Sequence, residues 1–336
     1  MNTKSLHFIL TLSCGLFLLS SCGNTQEKCE LDEKILDVPI DLSIVRLEKQ
    51  FYTASTEEEF LFLLEEYPDF AKDYLEVELY ESKEQLAQEL MFINQDTLMQ
   101  ELYAEVQENY PDLNQLDQDL SHAFAYIKYH FPDFNTPKVY TFLTGFSNDL
   151  YISDEMIVIG LDYFLPKEHE FQPTDLPRYI SDRYDREYIV PMVVTAISSK
   201  YNKVDPKQNT LLAEMIFYGK AYHFTKSILP CTADDFIIGY TSEEVVACFA
   251  NEEFIWSHFI ENDLLYETNP FEIRKYTGEA PATDVISQDA PGRVGRWLGW
   301  NIVDDYRFNN DISLDELMEM EDVEKLFRQS GYKPRQ

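Results

Sequence analysis

Apolar residues recur every three to four positions in the first half of the chain, which is the spacing of amphipathic helices. The clearest stretch opens with Thr56 and Glu59, the two ends of a capping box. The apolar residues behind this box are Phe60, Leu63, Leu64 and Tyr67. Residues 86–93, 98–106 and 116–131 repeat the same spacing. The pattern predicts four helices whose acidic sides are solvated surfaces.

Strand-like patterns lie on both sides of these helices. Residues 38–47 alternate between apolar and polar and predict a first strand. Residues 138–143 and 149–165 are rich in Val, Ile, Tyr and Phe, and they predict two or three further strands. Residues 166–186 contain three prolines and many charges, so they predict a long surface connection.

Helical spacing returns in the second half of the chain. The predicted helices cover residues 188–200, 211–227, 241–262, 297–306 and 313–327, and two of them open with the capping boxes Thr241–Glu244 and Ser313–Glu316. Residues 269–293 predict an irregular crossing loop. This order of elements predicts an α+β fold that is predominantly α-helical with a small central β-sheet.

The predicted elements form one globular domain over residues 38–336. The spacing of apolar residues changes within this domain. The change is compatible with a helical N-terminal subregion over residues 38–135 and a C-terminal subregion over residues 136–336.

The first residues have the pattern of a bacterial lipoprotein signal. Lys4 supplies a positive charge, twelve apolar residues follow, and Leu19-Ser20-Ser21 precede Cys22. Twelve residues are too few for a membrane-spanning helix, which needs about twenty. We therefore expect residues 1–21 to be a signal peptide, Cys22 to carry acyl chains such as palmitate, and residues 22–37 to form a polar tether. No later run is long and apolar enough to span a bilayer.

Three cysteines remain once Cys14 and Cys22 are assigned to the signal. These are Cys29, Cys231 and Cys248. A compartment beyond the inner membrane permits disulfides, but spacing alone does not choose a pair. Buried free thiols are the interpretation that the sequence favours.

The charge of the chain restricts its partners. It has 61 acidic and 27 basic residues, for a net charge of −34. Such a surface repels the phosphate backbone, which argues against nucleic-acid binding. It also repels anionic headgroups, so membrane attachment must come from the acyl chains.

The sequence does not contain the usual catalytic motifs. No histidine belongs to an H-E-x-x-H pair, and the corresponding position, Pro191–Thr195, holds no residue that can bind a metal. Glu214, with Gly219 and Ala221 behind it, is similar to the helix that carries a third zinc ligand in many peptidases. Without two histidines it is better explained as an ordinary helix residue. We expect no metal, no cofactor and no enzymatic activity.

One segment, residues 290–303, is unusual in composition. It concentrates three glycines, two arginines and two tryptophans in an otherwise glycine-poor, acidic chain. Arg293, Arg296, Trp297 and Trp300 could recognise a partner, because indole and guanidinium groups offer stacking surface and donors. The alternative, which is the commoner case, is a tight turn that packs a helix into the core and pairs its arginines with acids.

Several stretches resemble the GldB family, the gliding-motility lipoproteins of Bacteroidetes. They are the lipobox at Cys22 and residues 215–230, 237–241, 251–268, 291–303 and 330–336. Residues 50–185 match only in layout. The resemblance implies a role in gliding and in the associated type IX protein secretion. It also implies a degenerate zincin-like layout, a zinc metallopeptidase-like fold whose metal site is lost. The family supplies no catalytic residues to carry over.

These observations together predict a non-enzymatic lipoprotein of the cell envelope, on an inner or outer membrane. It would assemble with or stabilise other gliding or secretion lipoproteins or envelope proteins. One alternative is a divergent hydrolase, in which Glu214 would lie in a cleft with a histidine. Another is a peptide- or glycan-binding module, in which Trp297 or Trp300 would line an open groove.

Overall fold

The structure is a computed structural model that describes residues 29–205 and 207–335. Cys22 and the predicted signal peptide lie outside the described residues. From Leu31 onwards the chain forms one compact unit. As predicted, this part of the chain is mainly helical with a small mixed sheet.

The sheet has four strands, β1 (Ile44–Arg46), β2 (Lys138–Phe142), β3 (Leu150–Ile152) and β4 (Met156–Gly160), in the order β1-β2-β4-β3. β1, β2 and β4 are parallel, with Val139 opposite Ile157, and β3 is an antiparallel edge strand. Every residue of β4 is buried, as expected for an unbroken apolar run in an interior strand whose two faces are both covered.

The described residues contain sixteen α-helices. In chain order they are α1 (Glu33–Leu36), α2 (Leu47–Thr53), α3 (Glu57–Glu66), α4 (Lys83–Asn94), α5 (Thr97–Asn109), α6 (Asn114–His130), α7 (Arg178–Ser181), α8 (Ile189–Ser198), α9 (Leu211–Ile228), α10 (Asp234–Ile238), α11 (Ser242–Ala250), α12 (Glu252–Glu261), α13 (Pro270–Thr277), α14 (Val294–Asn309), α15 (Leu314–Glu319) and α16 (Val323–Ser330). A π-helical turn, Phe70–Tyr74, and short 3-10 turns at Val77–Leu79, Leu161–Phe164, Arg186–Tyr188 and Leu264–Tyr266 complete the set.

Three predictions about these elements need correction. The single helix expected over residues 313–327 is two helices, α15 and α16, because the backbone is extended at Met320. The single helix expected over residues 241–262 is two helices, because Asn251 ends α11 and precedes α12 with its backbone outside the helical region. The loop expected over residues 269–293 contains α13, which begins with an Asn269 cap and a proline in its first turn. The three predicted capping boxes, by contrast, are all present.

One face of the sheet is covered by aromatic rings from α2 and the π-helical turn. Phe142 of β2 meets the ring of Phe51 edge-on, with the centroids 5.4 Å apart. It contacts Phe70 in the same way at 5.2 Å. Tyr74 joins this layer to Tyr151 of the edge strand. Since side chains alternate along a strand, Ile152 points to the opposite face, where α8 packs against β3.

The second half of the chain is organised around the crossing of α9 and α14. The helices touch through glycines, and a β-carbon built on Gly299 would lie 1.9 Å from the carbonyl oxygen of Met215. No side chain fits in that space, so two glycines from segments singled out in the sequence serve to bring backbones together. This crossing positions Glu214, Arg296 and Trp300.

Two of the three remaining cysteines differ from the prediction. Cys29 and Cys231 are disulfide-bonded, so the expectation of free thiols is wrong for both. Cys248 is free and buried in α11. Burial raises the pKa of its thiol to about 12, and the nearby Glu244 adds to the shift.

Candidate functional site

Glu214 lies in the first turn of α9 and connects it to α13. The helix begins at a Thr210 cap, whose hydroxyl accepts from the amide of Ala213. One carboxylate oxygen of Glu214 accepts a 2.7 Å hydrogen bond from the Thr277 hydroxyl at the end of α13. In the two described ranges, no group of three or more His, Cys, Asp or Glu side chains is arranged to hold a metal ion.

The segment Pro191–Thr195, which corresponds to a zinc-binding pair in the predicted zincin-like layout, is part of α8 and is largely buried. Pro191, Val193 and Val194 are buried. The Thr195 hydroxyl is 2.8 Å from the hydroxyl of Thr225 on α9. The segment therefore joins α8 to α9 through apolar contacts and one hydroxyl pair.

Three histidines of the described chain have partners on other segments. His223 of α9 contacts the carboxylate of Asp304 on α14 at 2.6 Å. The other two contacts join His258 to the hydroxyl of Tyr276 at 3.1 Å, and His169 to the carboxylate of Glu105 at 3.0 Å. In each case the ring connects two segments of the fold.

The tryptophans proposed for recognition lie in the interior. Trp297 is 2% exposed and meets Phe249 edge-on, with ring centroids 5.2 Å apart. Trp300 is 5% exposed and packs against Tyr222 of α9. In this conformation neither indole lines an open groove, and both fill the space beside the α9–α14 crossing.

The turn before α14 is equally tight. Gly292 approaches the backbone of Ala280 so closely that a β-carbon would lie 1.7 Å from its carbonyl oxygen. Arg293 follows in the left-handed conformation, with φ at 63°, and starts the helix. Its guanidinium donates to the carbonyl oxygens of Ile238 and Gly239 at 3.1 and 3.0 Å. Arg293 thus donates hydrogen bonds to the free carbonyl groups at the C-terminal end of α10, and it also precedes the first residue of α14.

The two predicted arginines meet a third one around a single carboxylate. Glu279 accepts from Arg183 at 2.9 Å and from Arg296 at 3.2 Å, and the Arg293 Nε lies 3.5 Å away. We call these four residues the arginine cluster. Burial alone would raise the pKa of Glu279, but the charges of Arg293, Arg183 and Arg296 outweigh it and lower that pKa.

Arg296 also contacts residues outside the arginine cluster. Its Nε donates to the carbonyl oxygen of Thr277 at 2.5 Å, and its guanidinium lies 3.9 Å from the ring centroid of Tyr218. Thr277 also donates to Glu214, so the candidate residues of α9 and α14 are joined through α13. A cavity of about 530 Å³ lies beside the cluster and is bordered by Arg183, Arg293, Tyr240 and Glu244.

Sequence reasoning did not identify Glu279 or Arg183 as members of this arrangement. Both lie in segments predicted to be loops, and Arg183 is more than a hundred residues from Arg293. The sequence indicated only that Arg293 and Arg296 would pair with acidic residues, and it did not identify which ones.

The sequence matches the family described as "Gliding motility protein GldB" over residues 28–334. The chain belongs to the GldB family. Membership accounts for the similarity seen in the C-terminal half and extends it through residues 50–185, where only the layout had matched. Comparisons with curated proteins and with solved structures returned no match.

The family assignment supports a role in gliding motility and a membrane-anchored position in the cell envelope. Among the described residues, no helix combines the length and apolarity that a bilayer crossing requires. The implied relation to zinc metallopeptidases stays a prediction.

Proposed function

We propose that this protein is a lipid-anchored, non-enzymatic component of the cell envelope that assembles with, or stabilises, the gliding and type IX secretion machinery. The family match over residues 28–334 supports the gliding role. The lipobox ending at Cys22 supports anchoring by acyl chains, two or more of which hold a protein stably on a bilayer.

The non-enzymatic part of the proposal rests on the contacts that side chains of α8 and α9 make. In a zinc peptidase these helices would present ligands. Here Pro191–Thr195 makes packing contacts, and Glu214 accepts a hydrogen bond from Thr277. The arginines nearby are likewise occupied by Glu279 and by backbone carbonyls.

Complementation of a deletion strain in a gliding host tests the proposal. The wild-type gene should restore spreading, and Glu214→Gln should restore it equally, because an amide oxygen still accepts from Thr277. Cys22→Ala should produce normal amounts of protein that no longer pellets with membranes and does not restore spreading. Loss of spreading in the Glu214→Gln strain at normal protein level, together with stoichiometric zinc on the purified protein, would favour the hydrolase instead.

A further inference from the structure

A cavity separate from the arginine cluster lies at the carboxyl end of β2. Its volume is about 520 Å³, within the range of ligand-binding pockets. The last residue of β2, Phe142, and the following Thr144 line it, together with α4 and residues 73–76. Ligands of open sheets with parallel strands commonly bind at this end of the strands.

The floor of the cavity is a rigid aromatic surface. Phe142, Tyr74 and Tyr151 line it, and Tyr74 contacts Phe142 and Tyr151 edge-on, with centroid distances of 6.0 and 5.7 Å. Phe51 adds a further ring, 5.4 Å from Phe142. Edge-on packing fixes ring orientation, so the surface is formed before any ligand arrives.

One wall of the cavity is a strained turn held by a buried carboxylate. Gly145 and Phe146 both have left-handed backbones with φ at 62°, which is unusual for phenylalanine. Asp162, 1% exposed, accepts from the amides of Thr144 and Phe146 at 3.0 and 2.7 Å and from the Thr144 hydroxyl at 2.9 Å. A buried carboxylate needs such donors, and here they impose the shape of residues 144–148.

The opposite wall also contains a strained residue. Glu76 has φ at 52°, in the left-handed region that a glutamate rarely adopts. Strain of this kind is concentrated at binding sites, where the surrounding structure maintains it. Two of the four described segments with a left-handed non-glycine residue, those at Phe146 and Glu76, therefore border one cavity, whereas Asp263 and Arg293 do not line it.

The rim combines negative charge with exposed apolar side chains. Asp73, Glu76 and Glu89 line the cavity, whereas no described lysine or arginine does. The exposed apolar residues on or next to the lining segments are Leu79, Phe92, Ile93 and Leu98. An apolar floor with an acidic rim complements a ligand that is apolar in its middle and positively charged at its ends.

We propose that this cavity binds an extended peptide segment in which a large apolar side chain enters the aromatic floor and flanking lysines or arginines pair with Asp73, Glu76 and Glu89. Anionic ligands, such as fatty acids or acidic glycans, meet the same carboxylates and are repelled. This binding goes beyond the proposed role in the machinery, because it can be measured on the purified protein without any other component of the machinery.

Binding can be measured on the lipidated protein held in phosphatidylcholine nanodiscs, which avoid detergent in the cavity and anionic lipid beneath it. Fluorescence anisotropy would follow three labelled peptides, with empty nanodiscs as the blank. The first has leucine, tryptophan and phenylalanine between lysines, the second has the same core between glutamates, and the third has serine and glycine between lysines. We expect the first to bind at least about tenfold more tightly than the other two.

Two variants test the site, one by blocking the mouth of the cavity and one by removing negative charge from its rim. Ser147→Trp places an indole in the mouth from an exposed position, and it should weaken binding of the first peptide by about tenfold or more. The pair Glu76→Gln and Glu89→Gln should weaken it about fivefold and remove most of its salt dependence. The matched control, Glu253→Gln with Glu319→Gln, changes two exposed carboxylates outside the cavity and should bind as wild type does.

Circular dichroism and thermal unfolding confirm that each variant is folded before its binding is compared. The proposal is overturned if the basic and acidic peptides bind equally. It is also overturned if a folded Ser147→Trp protein binds as tightly as wild type, or if the first peptide does not bind at 1 mM. Such a result would not affect the motility role, which complementation tests separately.

Discussion

Gly219 of α9 faces Gly299 of α14 so closely that a β-carbon on Gly219 would lie 2.4 Å from the carbonyl oxygen of Gly299. The two helices therefore meet backbone to backbone. Around this contact lie Glu214, Arg296 and Trp300, the residues that the sequence suggested for chemistry or recognition. Close helix approach explains the glycines of both segments without requiring a ligand.

Gly299→Ala should therefore be strongly destabilising. Its β-carbon would lie 1.9 Å from the Met215 carbonyl oxygen, so the helices must separate, at a cost of about 3 kcal/mol. Urea unfolding followed by circular dichroism measures this loss. Gly331→Ala is the control, since its β-carbon would meet only the Asn309 side chain at an ordinary contact distance of 3.8 Å and only the left-handed φ of 61° opposes it, at about 1 kcal/mol. Equal stability of the two variants would show that the helices are not in backbone contact.

Glu279→Gln should destabilise the protein by leaving three arginines around a neutral side chain. Removing one partner of a buried pair costs about 3–5 kcal/mol, but the Glu279 side chain is 38% exposed and solvent screens its charge. We therefore expect about 1–2 kcal/mol at pH 7.

The same variant should change the response to acid. The pKa of Glu279 is lower in the folded protein than its ordinary value of 4.5, so its contribution is complete above pH 4.5 and is lost as the pH falls through the folded value. The stability difference between wild type and Glu279→Gln should thus shrink as the pH drops from 5 to 3. A difference that stays constant over this range would contradict the assigned role of the arginine cluster.

Lys220 should make the stability of the protein depend on pH in the neutral to alkaline range. Its ammonium is fully buried and donates to the carbonyl oxygens of Met318 and Met320 at 2.8 and 2.9 Å. Burial lowers its pKa from 10.5 to about 7, so between these values the unfolded chain holds a proton that the folded chain has released. Stability then rises with pH.

Relative to Lys220→Met, the wild type should gain about 1–2 kcal/mol between pH 7 and pH 9. Urea unfolding at both pH values measures the gain, and pH 9 stays below the range in which tyrosines ionise. Parallel pH profiles for the two proteins would show that Lys220 remains charged.

Thiol titration should distinguish Cys248 from the other cysteines of the processed chain. Without reductant, a thiol reagent should find no reactive thiol in the folded protein and one per chain in denaturant, because Cys248 is buried and free. Reduction before denaturation should raise the count to three, since Cys29 and Cys231 are disulfide-bonded and the proposed acylation would block Cys22. Three thiols without reductant would contradict the disulfide bonding.

The elements of the fold could be predicted where one local signal dominated. The capping boxes at Thr56, Thr241 and Ser313 begin helices as expected, because the cap is a contact within a few residues. The run of β4, rich in Val and Ile, similarly indicated a strand. The break at Asn251 was missed because apolar spacing continues on both sides of it.

The candidate site depends on long-range contacts that no local pattern contains. Glu279 meets Arg183 and Arg293 only because the turn at Gly292 packs against Ala280. The aromatic cavity joins Tyr74 to Tyr151 across segments that are separate in the sequence. Local spacing could identify the arginines and tryptophans, but whether they are paired and buried is decided by the crossing of α9 and α14.

Native mass spectrometry of the protein extracted from envelopes tests the central claim most directly, because one spectrum reports both its N-terminus and its bound metal. We predict a chain that begins at Cys22, carries the added mass of acyl chains, and shows no stoichiometric zinc. A chain with an unmodified N-terminus, or one that holds a zinc ion per molecule, would contradict an acyl-anchored protein that works through contacts.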